Sequence, residues 1–117
     1  MGRILLIVVC IAAAMQIFGN REAAAGDPRR TTGTSGIVML SAEWCGYCDQ
    51  LRADLKRTGV KFRELDVESD AEGAAAWEAL DGNGVPVTVV GQSVVHGYDP
   101  DGIRKLMTAA GHRPAKN

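Results

Sequence analysis

The stretch that decides the fold is WCGYC (residues 44–48), which stands between a short apolar run and a helical pattern. The run IVML (residues 37–40) is entirely apolar, as expected for a strand that is covered on both faces. After it, Cys48, Leu51 and Leu55 recur at helical spacing. The sequence therefore predicts two cysteines at the start of a helix that follows a central strand.

The position of the first cysteine favours thiol chemistry. Cys45 would precede the first turn of the helix, where free N–H groups and a partial positive charge stabilise a thiolate. Cysteines in such motifs have pKa values lowered to about 3.5–7.5. Cys48 lies three residues further on the same helical face, so the two can form a disulfide. One attackable and one partly buried sulfur suit dithiol–disulfide exchange.

Three other interpretations of the cysteine pair compete with redox exchange. A structural staple is disfavoured because the closed loop is so short that little chain entropy is removed. A zinc site would need His96 and His112 as further ligands, and their spacing matches no usual zinc pattern. The third interpretation is a copper or iron–sulfur pair. The strand–helix context favours redox exchange, and we assign no residue as a metal ligand.

Three further strands and two further helices complete the predicted domain from residue 60 onward. The strands are expected at residues 60–67, with a bent end, and as a hairpin at residues 85–90 and 93–96, joined by a Gly91-Gln92 turn. The order β-α-β-α-β-β-α predicts an α/β fold with a mixed four-stranded sheet and helices on both faces.

The ends of the two later helices are marked by capping residues. Ser69-Asp-Ala-Glu72 has the form of a capping box, opening a helix that we expect to bury Ala74, Trp77 and Leu80. The last helix opens with Asp99 as N-cap and proline at the first helical position.

From about Ile37 to Ala110 the chain resembles the thioredoxin superfamily, and within it the glutaredoxins. Three pieces match in order and spacing: WCGYC (44–48), GVPV (84–87) and VHGYD (95–99). The resemblance implies a thioredoxin-like fold of the glutaredoxin type. It also implies thiol–disulfide oxidoreductase activity, with Cys45 as the nucleophile and Cys48 as the residue that resolves the mixed disulfide.

The same resemblance implies a substrate groove beside the cysteines. Tyr47, Val85 and Pro86 match positions that line the glutathione groove, and Gly97 and Asp99 match the loop beyond the last strand. Pro86 interrupts an otherwise interior strand, where proline would remove a ladder hydrogen bond. A purely structural role for Pro86, as the first residue of a strand, is the alternative. The resemblance instead implies a cis-proline that faces the cysteine pair.

The chain departs from the glutaredoxin pattern at several positions. Gly46 replaces the usual proline of the motif, Gly84 replaces a threonine, and His96 replaces the first of two paired glycines. Pro100 stands where a second acidic or polar residue often helps to hold glutathione. The basic residue often found just ahead of the motif is absent, since Ser41, Ala42 and Glu43 precede Trp44. Glutathione therefore stays a candidate co-substrate only, and no bound cofactor is required.

Residues 1–25 predict an export signal. Arg3 supplies a positive start, residues 4–18 are apolar apart from one glutamine, and Ala23–Ala25 offer a cleavage site. The alternative is an uncleaved anchor, with membrane association through residues 4–18. In both cases we expect a location in the bacterial periplasm or at the periplasmic face of the inner membrane. Residues 26–36 predict a flexible linker, which leaves residues 37–117 as the glutaredoxin-like domain.

Composition limits the classes of partner. The 117 residues carry 13 Lys and Arg against 14 Asp and Glu, which argues against nucleic-acid binding. We expect a monomer that acts on protein or small-molecule disulfides. The alternative from another class is a non-catalytic metal-binding or metal-delivery module that uses the same two thiolates.

Local charge predicts the direction of the redox reaction. Glu43 and Asp49 flank the motif, and a carboxylate near Cys45 disfavours the thiolate. The nearest cation in sequence is Arg52, which we expect to be exposed and screened. A less stabilised thiolate means a more negative reduction potential, so the pair is predicted to act as a reductant.

Overall fold

The computed structural model describes residues 26–115, so the predicted export signal at residues 1–25 lies outside them. The helices are α1 (Arg29–Thr32), α2 (Gly46–Arg57), α3 (Ala71–Ala79) and α4 (Pro100–Ala109), and the strands are β1 (Ile37–Ser41), β2 (Arg63–Asp66), β3 (Val87–Val90) and β4 (Ser93–His96). From Ile37 onward this is the predicted β-α-β-α-β-β-α order. No helix within the described residues is long and apolar enough to cross a membrane.

The four strands form one mixed sheet in the order β2-β1-β3-β4. β1 runs parallel to β2 and antiparallel to β3, and β3 pairs with β4 as an antiparallel hairpin. All five residues of β1 are buried, as predicted from the apolar run, because helices cover both faces of the central strand. The hairpin turns at Gly91, whose φ of 59° is the left-handed conformation that this two-residue turn requires of its first residue.

Alternate side chains of β1 enter two separate apolar cores. One core, here the site-side core, joins the sheet to α2 and α4 and contains Ile37, Met39, Cys45, Cys48, Leu51, Leu55, Ile103 and Met107. The other, here the back core, joins the opposite face to α3 and contains Val38, Leu40, Leu65, Ala76, Leu80, Val87 and Val89. Both cysteines therefore belong to the face covered by α2 and α4.

The predicted start of α3 is corrected by one residue. Asp70, and not Ser69, is the N-cap, and its side chain accepts a hydrogen bond of 2.9 Å from the backbone N–H of Glu72. The buried residues of the helix are Gly73 and Ala76, not the predicted Ala74. The face that carries Gly73 packs so closely on the end of β2 that a Cβ at this position would collide with the carbonyl oxygen of Asp66.

Trp77, in the second half of α3, is half-buried. It packs against the back core, and its indole N–H donates to the carbonyl oxygen of Gly84 at 2.9 Å. Leu80, directly after the helix, is buried as predicted.

The segment at residues 26–36 contains a helix in place of the predicted flexible linker. The hydroxyl of Thr32 is buried and donates to the carbonyl oxygen of Gly91 at 2.5 Å. The side-chain amide of Gln92 donates to the carbonyl oxygens of Arg29 and Gly33, at 2.8 and 2.7 Å. A short helix leaves its last carbonyl groups without partners, and here the β3–β4 turn supplies the donors.

β2 is shorter than the strand predicted at residues 60–67. β1 offers partners only from Val38 to Ser41, so pairing is confined to Arg63–Asp66. Val60 and Phe62 lie outside the ladder and pack against the site-side core, whereas Leu65 enters the back core. The break in hydrophobic alternation thus reflects a change of face.

Candidate active site

The end of β1 and the start of α2 place the two cysteines. Cys45 is the N-cap of α2, with φ −87° and ψ 105°, and its sulfur accepts a 3.1 Å hydrogen bond from the backbone N–H of Cys48. Cys45 and Cys48 are joined by a disulfide, with their Cα atoms 5.2 Å apart. The sulfur of Cys45 therefore occupies the helix end whose free N–H groups stabilise a thiolate.

Burial distinguishes the two sulfurs. Cys48 is fully buried in the site-side core, and only Cys45 retains exposed surface, 5% of the residue. Among the site-side neighbours, Met39, Leu51 and Met107 are each fully buried and apolar. An incoming group can therefore approach the disulfide only from the side of Cys45.

The segment before β3 borders the accessible sulfur. The peptide bond between Val85 and Pro86 is cis, and the carbonyl oxygen of Val85 lies 3.8 Å from the sulfur of Cys45. The carbonyl oxygen of Pro86 accepts a 2.8 Å hydrogen bond from the backbone N–H of Gly97, which has a φ of 88°. The structure thus links Val85, Pro86 and Gly97, three of the sequence-predicted groove residues, to one edge of the disulfide.

The two remaining predicted groove residues differ in their surroundings. The ring of Tyr47 is 62% exposed and packs on the ring of Tyr98, with centroids 5.3 Å apart. The carboxylate of Asp99 caps α4 and accepts a 3.0 Å hydrogen bond from the backbone N–H of Gly102. Asp99 is exposed and has a structural contact of its own, so any ligand would compete with the helix for this carboxylate.

Two aromatic residues of the site were not singled out from the sequence. Tyr98 donates a 2.6 Å hydrogen bond to Asp54 of α2, which raises the pKa of the phenol. Trp44 is 72% exposed, and its indole N–H donates to the carboxylate of Glu68. Both residues lie inside the quoted motifs, so the signal was present, but an aromatic residue beside a turn gives no sign of whether it is exposed.

The charges around the motif differ from the sequence expectation. Arg52 is not a free exposed cation, because it forms a 2.7 Å ion pair with Asp49 and two hydrogen bonds, of 2.6 and 2.5 Å, with Glu64. Arg52 and the hydroxyl of Ser41 hold the pKa of Glu64 below its ordinary value of 4.5. Asp49 is therefore offset by a partner, and Glu43 alone of the two predicted acids keeps an unpaired carboxylate within the described residues.

The residues of the alternative metal site have other contacts. A ring nitrogen of His112 lies 2.5 Å from the carbonyl oxygen of Ser35, and His96 is exposed at the end of β4. Within residues 26–115, no group of three or more His, Cys, Asp or Glu side chains is arranged to hold a metal ion.

The fold and the cysteine motif together match one family model. The model described as glutaredoxin aligns with residues 37–95, from the start of β1 into β4. The chain belongs to the glutaredoxin family. Comparison with functionally curated protein sequences finds no match.

Solved structures give the same fold. NrdH-redoxin from Escherichia coli, a glutaredoxin-like protein with a thioredoxin-like activity profile, is 26% identical; the match covers 60% of this chain and 92% of that chain, with a TM-score of 0.54. A glutaredoxin from Archaeoglobus fulgidus is also 26% identical, covering 65% and 89%, with a TM-score of 0.55. The buckwheat glutaredoxin–glutathione complex shares 19% identity over 81% and 97%, with a TM-score of 0.62, and shows the fold alone.

Thiol–disulfide oxidoreductase chemistry is supported by three observations. The chain belongs to this family, its cysteine pair is at disulfide distance, and Cys45 lies at a helix end. Cys45 lies at the surface end of the disulfide and Cys48 lies in the core. The sulfur of Cys45 can therefore react with a partner, and the sulfur of Cys48 can then displace that partner.

Proposed function

We propose that this glutaredoxin-family protein reduces disulfides in the bacterial cell envelope, with Cys45 as the attacking thiolate and Cys48 as the resolving thiol. The observation that carries the proposal is the unequal burial of the two sulfurs. Cys45 has the only exposed edge and sits on the free N–H groups of α2, whereas Cys48 is fully buried behind it.

The reaction begins from the dithiol. The thiolate of Cys45 attacks one sulfur of the substrate disulfide, forms a mixed disulfide, and expels the other substrate sulfur as a thiolate that takes up a proton. Cys48 then loses its proton and attacks the sulfur of Cys45, which releases the second substrate thiol and forms the Cys45–Cys48 disulfide. Two electrons pass from the protein to the substrate, and an external thiol or dithiol donor returns them.

The backbone beside Cys45 offers a binding edge for an extended substrate. The carbonyl oxygen of Val85 borders the sulfur, and a peptide that lies along this segment can form main-chain hydrogen bonds in the manner of an added strand. Tyr47, in the first turn of α2, contributes an exposed ring. This arrangement suits a segment of a protein that carries a cysteine.

Protein disulfides fit the site better than glutathione does. Glutathione carries two carboxylates, and the basic residue that often precedes the motif is absent here, where Glu43 stands before Trp44. Asp99, which matches the acidic loop position, is engaged as the cap of α4. The thioredoxin-like activity profile of the E. coli NrdH-redoxin, at 26% identity, points the same way. We therefore place glutathione as a candidate electron donor and not as the preferred substrate.

The location and the direction of the reaction rest on the sequence. The positive start, the apolar run at residues 4–18 and the alanines before residue 26 support export. Fractionation of bacteria expressing the full chain should place it in the periplasm or at the inner membrane, and recovery in the cytoplasm would contradict this. The reducing direction now rests on Glu43, because Asp49 is paired with Arg52.

Insulin reduction tests the assignment of roles to the cysteines. The wild type should turn over with an external dithiol, and Cys45→Ser should lose turnover. Cys48→Ser should attack and then stop as a mixed disulfide, which mass spectrometry detects. Full activity in Cys45→Ser would overturn the proposal. Stoichiometric Cu(I) or Zn(II) binding by a wild type without turnover would establish the metal-delivery alternative instead.

The reduction potential tests the direction. A value near about −270 mV is expected for a reductant, and one near about −120 mV would mark an oxidant. Titration of thiolate absorbance in the wild type and in Glu43→Gln isolates the cause. A Cys45 midpoint below about pH 5, in the range of strongly oxidising motifs, would refute the reducing assignment. An unchanged midpoint in Glu43→Gln would remove its stated reason.

A further inference from the structure

Three exposed aromatic side chains belong to the cysteine motif or contact it: Trp44 precedes Cys45, Tyr47 lies between the cysteines, and Tyr98 packs on Tyr47. Trp44, Tyr47 and Tyr98 are 72%, 62% and 39% exposed, and within residues 26–115 they are the only large hydrophobic residues that are exposed. We refer to these three residues as the aromatic rim. Exposed aromatic residues that adjoin a reactive cysteine motif mark an interaction surface.

Carboxylates flank the aromatic rim at both ends. Beside Trp44, Glu43 is exposed and Glu68 accepts the hydrogen bond of the indole. At the other end, Asp101 lies close enough to Tyr98 for its charge to act on the phenol, in addition to the hydrogen bond from the phenol to Asp54. Partners therefore meet negative charge on either side of the cysteine pair.

The two arginines of α2 at this surface, Arg52 and Arg57, form ion pairs with other acids. Arg57 is paired with Asp54, and Arg52 is paired with Asp49 and Glu64. Within the described part of the chain, Glu43, Glu68 and Asp101 form no ion pair. Exposed carboxylates without an ion-pair partner thus flank the aromatic rim, although the whole chain has a formal net charge of only −1.

Building on the thiol–disulfide exchange proposed above, we propose that the aromatic rim selects protein disulfides whose cysteine is flanked by lysine or arginine. The stems of these side chains can lie on the exposed rings, their charged ends can interact with the ring faces, and the rim carboxylates attract them. Electrostatic attraction of this kind acts mainly on the rate of encounter. Acidic disulfides, including glutathione disulfide, should be disfavoured.

The test compares three symmetric peptide disulfides in which the cysteine is flanked by lysine, serine or glutamate. The protein, purified after expression of the full chain in bacteria and then reduced, is mixed with each peptide, and tryptophan fluorescence is followed in a stopped-flow instrument. Each second-order rate constant is divided by that of dithiothreitol with the same peptide, which removes differences in intrinsic reactivity. Glutathione disulfide is measured in the same way.

At an ionic strength of about 10 mM, where the Debye length is about 30 Å, the lysine peptide should react at least about tenfold faster than the glutamate peptide. The ratio should fall to about threefold or less in about 0.5 M salt. A ratio below about twofold at low salt, a ratio that does not respond to salt, or glutathione disulfide reacting faster than the serine peptide would overturn the proposal.

Charge-neutral variants assign the preference to the rim. Glu43→Gln/Glu68→Gln keeps an oxygen acceptor for the Trp44 indole and should lower the lysine-to-glutamate ratio severalfold. The matched control is Glu78→Gln/Asp81→Asn, which neutralises one exposed acid near the end of α3 and one just after it. This variant should leave the lysine-to-glutamate ratio unchanged. An equal ratio in the wild type and the rim variant would refute the rim assignment. Reduction of the serine peptide by the wild type, absent in Cys45→Ser, tests the exchange chemistry separately.

Discussion

The site-side core and the back core share β1, and they differ in what lies at their edges. Both consist of buried aliphatic side chains, with Met39 pointing to one and Leu40 to the other. The site-side core ends at the fully buried Cys48, whose disulfide leads to the surface. The back core ends against the small residues Gly73 and Ala76 of α3. The two cores are thus similarly buried, but the site-side core borders the reactive disulfide, whereas the back core allows close packing of α3 on the sheet.

Each face also has one ion pair between β2 and its covering helix. On the site side, Arg52 of α2 and Glu64 form a 2.5 Å pair whose side chains are 29% and 26% exposed. On the back, Arg63 and Glu72 of α3 form a 3.2 Å pair whose side chains are both 58% exposed. The helix that carries the cysteines is held by the shorter and better shielded pair, which the pKa of Glu64, lowered mainly by Arg52, also reflects.

The largest expected effect compares matched leucines of the two cores. Leu51→Ala on the site side and Leu65→Ala on the back should each lower the free energy of unfolding by about 2–5 kcal/mol, because both side chains are buried and leave cavities. Only Leu51→Ala should also slow disulfide reduction per folded molecule, since Leu51 lies one turn after Cys48. Urea unfolding and insulin reduction measure the two quantities. Equal activity loss in Leu65→Ala would break the distinction between the faces.

Matched glycines should respond with opposite signs. Gly73→Ala should destabilise the protein by about 1–3 kcal/mol, because its Cβ would overlap the carbonyl oxygen of Asp66. Gly46→Ala, at the start of α2, meets no atom within 4 Å, so alanine should stabilise by up to about 1 kcal/mol through its helix propensity. Thermal unfolding of the oxidised proteins checks both signs, and a stabilising Gly73→Ala would show that α3 can move off the sheet.

Neutralising each ion pair should show the difference in their strength. Glu64→Gln is expected to lose about 1–2 kcal/mol near neutral pH, whereas Glu72→Gln should change stability by less than about 0.5 kcal/mol. The folded pKa of Glu64 is lowered, so its contribution is present above the unfolded value and is lost as the pH falls below 4.5 through the folded pKa. Urea unfolding from pH 7 to pH 3 should therefore bring wild type and Glu64→Gln together at low pH. A constant difference would exclude the carboxylate as the cause.

The smallest effect concerns two buried threonines. The hydroxyl of Thr88, on the site-side face of β3 opposite Met39, has no hydrogen-bond partner within the described residues, so Thr88→Val should stabilise by about 1 kcal/mol. The hydroxyl of Thr32 donates to Gly91, and Thr32→Val should destabilise by a similar amount. Differential scanning calorimetry resolves both shifts. A destabilised Thr88→Val would mean that the hydroxyl is satisfied in solution.

Local patterns in the sequence were sufficient for the elements that depend on neighbouring residues. The apolar run of β1, the cysteine N-cap of α2 and the Asp99-Pro100 start of α4 were each predicted and are each present. The order of elements and the position of the cysteine pair followed from these, because helix caps and hydrophobic periodicity act over a few residues.

Interactions between distant segments decided what local patterns could not. Residues 29–32 form a helix that docks on the sheet, and Gln92, far along the chain, donates hydrogen bonds to the carbonyl groups of Arg29 and Gly33. Arg52 of α2 is only partly exposed because its guanidinium donates two hydrogen bonds to Glu64 of β2.

The sequence by itself determined the cysteine motif, its place at a helix end and the glutaredoxin-type order of strands and helices. The tertiary structure decided which sulfur is exposed, which acids keep their charge unpaired, that Trp44, Tyr47 and Tyr98 are exposed, and that the two tyrosine rings pack on each other. Hydrophobic periodicity indicates the face of a helix or strand on which a residue lies. It does not indicate which residues of a distant segment pack against that face. Burial and charge pairing depend on that opposing segment, so they appear only when the chain is folded.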